Sequence, residues 1–200
     1  LYRLDAKRPL QLVFRISFAF DILNATLNRK GGIAVEDINN RDQIADRVLR
    51  LMPESESELA LVITAHLLIE ERLATLLATL ARDPDFLEKA RLQFKQRMLL
   101  VRAFSLPSIP AHIWQFVEGL NRLRNKLAHN VEPPDITSEI EQLVKLIPDA
   151  QARLPDPVGN VKSRLALTVG VVCGHLFGLR FVHAQLDGLI SSGTVTQLKL

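Results

Sequence analysis

The sequence predicts an all-α protein, a helical bundle of six or seven helices. Three observations carry that expectation. Leucine is abundant while aromatic residues make up only 6% of the chain. Apolar residues recur at helical rather than alternating spacing. Strand signals are nearly absent, with only Thr194-Val195-Thr196 hinting at one. A chain of 200 residues is long enough to bury a substantial core as one domain. Its 48% hydrophobic and 24% charged residues exclude a disordered chain.

Residues 10–28 place Leu12, Val13, Ile16, Phe20, Leu23 and Leu27 at helical spacing, with Phe14 and Phe18 as further core candidates. Gly31-Gly32 stops this helix. A second, over about 35–51, has Ile38, Ile44, Val48 and Leu51 on one face and charges on the other. Pro53 then breaks the chain. Glu54-Ser55-Glu56-Ser57-Glu58 sets capping hydroxyls and negative charge at the start of a long helix, 57–81. That helix is apolar around most of its circumference, which puts it in the middle of a bundle.

Asp83-Pro84 pairs a cap with proline at the first helical position, opening a helix that extends to about Phe104. After a connector over 105–110, a helix at 111–129 aligns Ile113, Phe116, Val117, Leu120, Leu123 and Leu127. Pro133-Pro134 prevents its continuation. Asp135 or Thr137 caps the next helix, to about Ile147, and Pro148, Pro155 and Pro157 mark a broken linker. The expected organisation is N-terminal helices over 1–56, a helical core over 57–154, and a C-terminal glycine-striped helix and tail over 155–200, packed as one compact domain.

The last helix, from 161 to about 190, carries no charged residue between Leu165 and Leu179. Fifteen residues fall short of the ~20 needed to cross a bilayer, so a buried or dimer-forming helix is expected, and no membrane partner. Gly170, Gly174 and Gly178 recur every fourth residue along it. Glycine costs a helix roughly 1 kcal/mol against alanine, and three on one stripe suggest a tight interface, here assigned to a homodimer. The single cysteine, Cys173, excludes an intramolecular disulfide and fits a reducing compartment. No signal peptide is visible in the first fifteen residues, and a cytoplasmic protein is expected.

Most site chemistries find no residues to work with. The five histidines, His66, His112, His129, His175 and His183, are scattered, with no Glu-x-x-His, Cys-x-x-Cys or His-Glu-x-x-His spacing. No metal or other cofactor is expected. His66 and Glu70, one turn apart, read as a structural polar pair. Gly-x-x-x-x-Gly-Lys is missing, and Cys173 lies in an apolar run that keeps its thiol neutral.

Arg124, Asn125 and His129 remain. Asn125 and His129 are one helical turn apart, and the long side chain of Arg124 can swing toward them. Guanidinium, amide and imidazole at a helix end suit metal-free RNA cleavage. Imidazole transfers protons near neutral pH, arginine holds the scissile phosphate, and RNA brings its own 2′-hydroxyl nucleophile. Around them, residues 89–126 hold eight basic residues against Glu118 alone, a net of +7 in a chain of net +3. The remainder is therefore acidic, and Arg91, Lys95, Arg97, Arg102, Arg122 and Lys126 are the candidate RNA-binding residues.

The run Leu123-Arg124-Asn125-Lys126-Leu127-Ala128-His129 resembles the Arg-polar-x-x-x-His signature of HEPN domains. The preceding long apolar helix and Leu92-x-Phe94-Lys95 with Leu99, Leu100 and Ala103 are also similar to that family, as is the Arg-Asn-x-x-Ala-His ending of mannitol operon repressor-like proteins. The resemblance covers residues 57–130. It implies a helical bundle that commonly dimerises, joining two Arg/His sets. Many members are metal-independent endoribonucleases of toxin–antitoxin or phage-defence systems. By that resemblance Arg124 binds phosphate, Asn125 stands beside it, and His129 is the acid/base. The implied partners are RNA, a second copy, and an antitoxin or regulatory protein. Some toxin members carry a tyrosine two residues after the histidine; Val131 stands there.

A competing expectation is a non-catalytic helical regulatory or interaction module, as in the mannitol operon repressor-like proteins. In that case Arg124 pairs with Glu70 or Glu71, and His129 merely caps its helix.

Overall fold

The computed structural model describes residues 43–44, 46–52, 57–104, 109–129, 135–151 and 160–191. The expected helix at 10–28, the start of the second, Pro133-Pro134, Val131 and Thr194-Val195-Thr196 lie outside them. The described chain is all-helical. A helical segment at 46–51 is followed by α1 (Glu58–Leu80), α2 (Pro84–Lys89), α3 (Phe94–Phe104), α4 (Ala111–Ala128), α5 (Thr137–Lys145), α6 (Pro148–Gln151) and α7 (Val161–Ser191).

Helix α1 is the hub. Ser57 caps it, its Oγ accepting from the Ala60 N–H at 3.1 Å, and Glu58 adds negative charge in the first turn. Along its length Leu61, Val62, Ala65, Leu68, Ile69, Leu73, Leu76 and Leu77 are all buried. Three helices, α3, α4 and α7, pack around it. The preceding segment is tied down by a bidentate pair, Arg47 to Glu71, at 2.6 and 2.7 Å.

The helix expected to run from Asp83 to Phe104 is two helices. Asp83 caps α2, accepting from the Asp85 N–H at 3.1 Å, with Pro84 at the first position. The chain then turns at Arg91, whose φ of 47° is left-handed. Gln96 caps the restart by accepting from the Gln93 N–H at 2.8 Å. The physical reason is burial. No residue of α2 is buried, whereas α3 drives Phe94, Met98 and Val101 into the core. One straight helix could not follow both the surface and the side of α1.

Helices α4 and α5 lie close together at Gly119. A Cβ at that position would overlap Leu143 Cδ2, so glycine sets the distance between the two helices. Asp135 accepts from the Thr137 N–H at 2.9 Å at the start of α5, and Thr137 Oγ1 donates to Glu58 at 3.1 Å, linking α5 to α1. Arg164 of α7 reaches Glu141 of α5 at 3.1 Å.

Helix α7 packs along α1, and every residue from Leu165 to Gly174 is buried. Gly170 and Gly174 lie inside the core of a single chain and Gly178 is half-buried. Among the described residues, no helix is long and apolar enough to cross a membrane.

The α4–α5 contact can be tested with Gly119→Ala. The methyl group favours the helix by about 1 kcal/mol but overpacks Leu143, at a cost of about 1–3 kcal/mol. Urea unfolding of Gly119→Ala, Leu143→Ala and the double variant is expected to be non-additive by about 1 kcal/mol, with Leu143→Ala relieving the overlap. Strict additivity would show that the two side chains do not meet.

Candidate functional site

Helix α4 has one committed face. Ile113, Phe116, Val117, Leu120, Leu123 and Leu127 are buried, and because the last two are interleaved with the motif residues, the helix cannot roll. Arg124, Asn125 and His129 are consequently all exposed. Arg124 donates from Nη1 to Asn125 Oδ1 at 3.2 Å, which holds the guanidinium against the helix. His129 is the capping residue just past α4, with φ −103° and ψ 1°.

The two glutamates that might have neutralised Arg124 are committed elsewhere. Glu70 pairs with Arg97 at 2.8 Å, and Glu71 with Arg47. Among the described residues, no carboxylate pairs with Arg124.

Beside the motif lies a buried polar contact. His66 of α1 is 5% exposed and meets Asn121 of α4, Nε2 to Oδ1, at 3.1 Å. An amide oxygen only accepts, so Nε2 carries the hydrogen. The ring stacks on Phe94 of α3 with centroids 4.2 Å apart. Glu70 lies 3.9 Å from Nδ1, beyond hydrogen-bond reach, so Asn121 rather than Glu70 is the partner of this histidine. Burial pushes the imidazole pKa below its usual value. It outweighs the Asn121 hydrogen bond and the Glu70 charge, which raise it, while the guanidinium of Arg124 lowers it further.

The basic residues do not form one patch. Arg91 and Lys95 are exposed near the α2–α3 corner, and Arg122 is exposed on α4. Arg97 is bound to Glu70, Arg102 faces Glu118 at 3.8 Å, and Lys126 pairs with Glu139 of α5. Lys126 in turn holds the Glu139 carboxyl below the usual carboxylate range. Two of these carboxylates, Glu70 and Glu139, come from outside residues 89–126, where counting local charge does not find them.

Between α4 and α5 there is also a groove of about 370 Å³. Its floor is Leu123, Leu143 and Leu146, and its polar rim is Arg122, Lys126, Glu139 and Gln142. Gln142, Leu143 and Leu146 did not stand out in the sequence; only the helical phase of α5 relative to α4 brings them to the motif helix. Cys173 is buried, and its thiol is pushed up to about 12 by that burial. Among the described residues, no three His, Cys, Asp or Glu side chains gather around a possible metal position. No family model matches the sequence, and no curated protein or solved structure proves significantly similar to it.

The His66 contact has a pH signature. An unfolded imidazole gains its proton as pH falls through about 6.5, whereas folded His66, with its lowered pKa, gains it only at lower pH. Between those two values the unfolded state binds more protons, so stability falls as pH falls. The unfolding free energy of the parent protein is expected to decline from about pH 7 downward through that window, and His66→Gln to flatten the decline. An identical pH slope in the variant would rule out this histidine as its source.

Proposed function

We propose that the chain is a metal-independent endoribonuclease of the HEPN type, acting on single-stranded RNA. The observation that carries this reading is the exposed Arg124–Asn125–His129 group, whose arginine has no carboxylate partner among the described residues. Arg124 is thus available to a phosphate instead of serving as an internal ion pair. In the reaction the RNA 2′-oxygen attacks the adjacent phosphorus while the bond to the 5′-oxygen breaks. The products are a 2′,3′-cyclic phosphate and a 5′-hydroxyl. Arg124 stabilises charge on the non-bridging oxygens, and imidazole at His129 takes or returns the transferred proton. A second copy of the chain would supply a second Arg124/His129 set, so that one histidine acts as base and the other as acid. The toxin–antitoxin or phage-defence setting, with a silencing protein partner, belongs to this same proposal and follows from the HEPN resemblance.

One observation favours the regulatory reading instead. Arg97, Arg102 and Lys126 each face a carboxylate, which thins the cationic surface left for RNA. Cleavage assays separate the two readings. Arg124→Ala and His129→Ala are each expected to slow cleavage at least about 100-fold. Both sites are exposed, so stability should stay within about 0.5 kcal/mol, and chelator should have no effect. Cleavage persisting in both variants refutes the assignment, and a parent protein that cleaves nothing leaves the regulatory module standing.

A further inference from the structure

The groove between α4 and α5 has a character distinct from the exposed motif. Its floor is apolar, made by Leu123, Leu143 and Leu146. The guanidinium of Arg122 folds back over the groove's end, its Nη2 lying 3.7 Å from where a Gly119 Cβ would stand. Gln142, exposed on α5, offers an amide with both a donor and an acceptor. The far wall is the Lys126–Glu139 pair, which joins the two helices and cancels its own charge. Among the described rim residues the net charge is therefore that of Arg122. The volume, about 370 Å³, is that of a small-ligand cleft.

The groove also has a fixed relation to the motif. Arg122, Lys126 and His129 are spaced i, i+4 and i+7 on one face of the α4 helical path. At 1.5 Å per residue, Arg122 and His129 are about 10 Å apart along the axis. A polymer with its cleaved bond at His129 would lay a neighbouring unit along this groove.

We propose that the α4–α5 groove is the subsite for one nucleotide of single-stranded RNA beside the cleaved bond. The base lies over the leucine floor, Gln142 meets its hydrogen-bonding edge, and Arg122 contacts the base plane or its phosphate. Such a site takes a planar heterocycle attached to an anion, and its single net positive charge complements a single phosphodiester. Lys126, although basic, acts as a wall and not as a phosphate ligand, because Glu139 already neutralises it. This inference rests on the ribonuclease reading, but its test is a binding measurement.

The probe is a short fluorescein-labelled single-stranded RNA of mixed sequence, followed by anisotropy on the full chain carrying His129→Ala to prevent turnover. Adding Arg122→Ala is expected to weaken binding roughly tenfold. Arg82→Ala, which removes the same charge from an exposed position between α1 and α2, should change it less than about twofold. Gln142→Ala should alter the ranking of oligouridine against oligoadenine, and Lys126→Ala should weaken binding less than Arg122→Ala does. Circular dichroism melting confirms that these surface variants are folded. Equal losses for Arg122→Ala and Arg82→Ala, no loss for Arg122→Ala, or no RNA binding at all would each overturn the groove assignment. The ribonuclease reading is judged separately. A protein that cleaves RNA but ignores Arg122 retains the activity and loses the subsite, whereas one that binds through Arg122 without cleaving retains the subsite and loses the activity.

Discussion

Enclosure of α1 is the constraint on which the rest of the fold depends. A helix with buried leucine, isoleucine and valine on so much of its surface cannot face water on more than a narrow strip. Each such side chain contributes roughly 1.5–3 kcal/mol when fully buried, so the chain gains most by surrounding it. Helices α3, α4 and α7 do so, and their other features follow. The burial of every residue from Leu165 to Gly174 of α7 follows because α7 packs against α1 and also against α5 and α6. Helix α3 separates from α2 because only α3 has a face to give to the core. Helix α4 spends Leu120, Leu123 and Leu127 on the same enclosure, which fixes its rotation and leaves the motif facing outward.

A polar group inside that enclosure needs a partner, since an unsatisfied buried donor costs about 1–3 kcal/mol. His66 is the case in point. Its hydrogen bond to Asn121 joins α1 to α4, and its ring packs on Phe94 of α3. Asn121, Asn125 and His129 occupy successive turns of α4. The stripe thus runs from a buried structural contact at one end to an exposed imidazole at the other. Asn125 in the middle accepts from Arg124. The polar residues of α4 therefore divide into anchors and presented groups along a single line.

What could be read in the sequence was what is local. Ser57 and Asp83-Pro84 announce their helix starts within a few residues, and both caps form as their spacing requires. The apolar face of α4 is periodic and needs no partner to be recognised. The motif residues are consecutive or one turn apart, so they too were visible. What sequence spacing missed depends on contacts between distant segments. Arg97 and Glu70 are separated by 27 positions, and Lys126 and Glu139 by 13; neither pairing has a local signature. The Gly170/Gly174/Gly178 pattern announced a buried stripe but not whose surface covers it. The break at Arg91 has no local signature, since nothing near it is a glycine or proline and the left-handed φ falls on an arginine.

The distribution of cations around α4 limits how RNA would approach it. Arg122 and Arg124 are two positions apart, which on an α-helix puts them about 200° apart around the axis. One strand cannot lie along a single flank and touch both. It would have to cross the C-terminal end of α4, where His129 lies on the Arg122 flank. That end carries the negative pole of the helix dipole, unfavourable to a phosphate by about 0.3–1 kcal/mol. Cations on both sides of the helix end are what offset that penalty. Asn125, by holding the Arg124 guanidinium close to the helix, keeps one of them near the crossing point. Under the proposed RNA reading, arginines on opposite sides of this helix end would each offer a phosphate two parallel hydrogen bonds, while the neighbouring Lys126 joins α4 to α5.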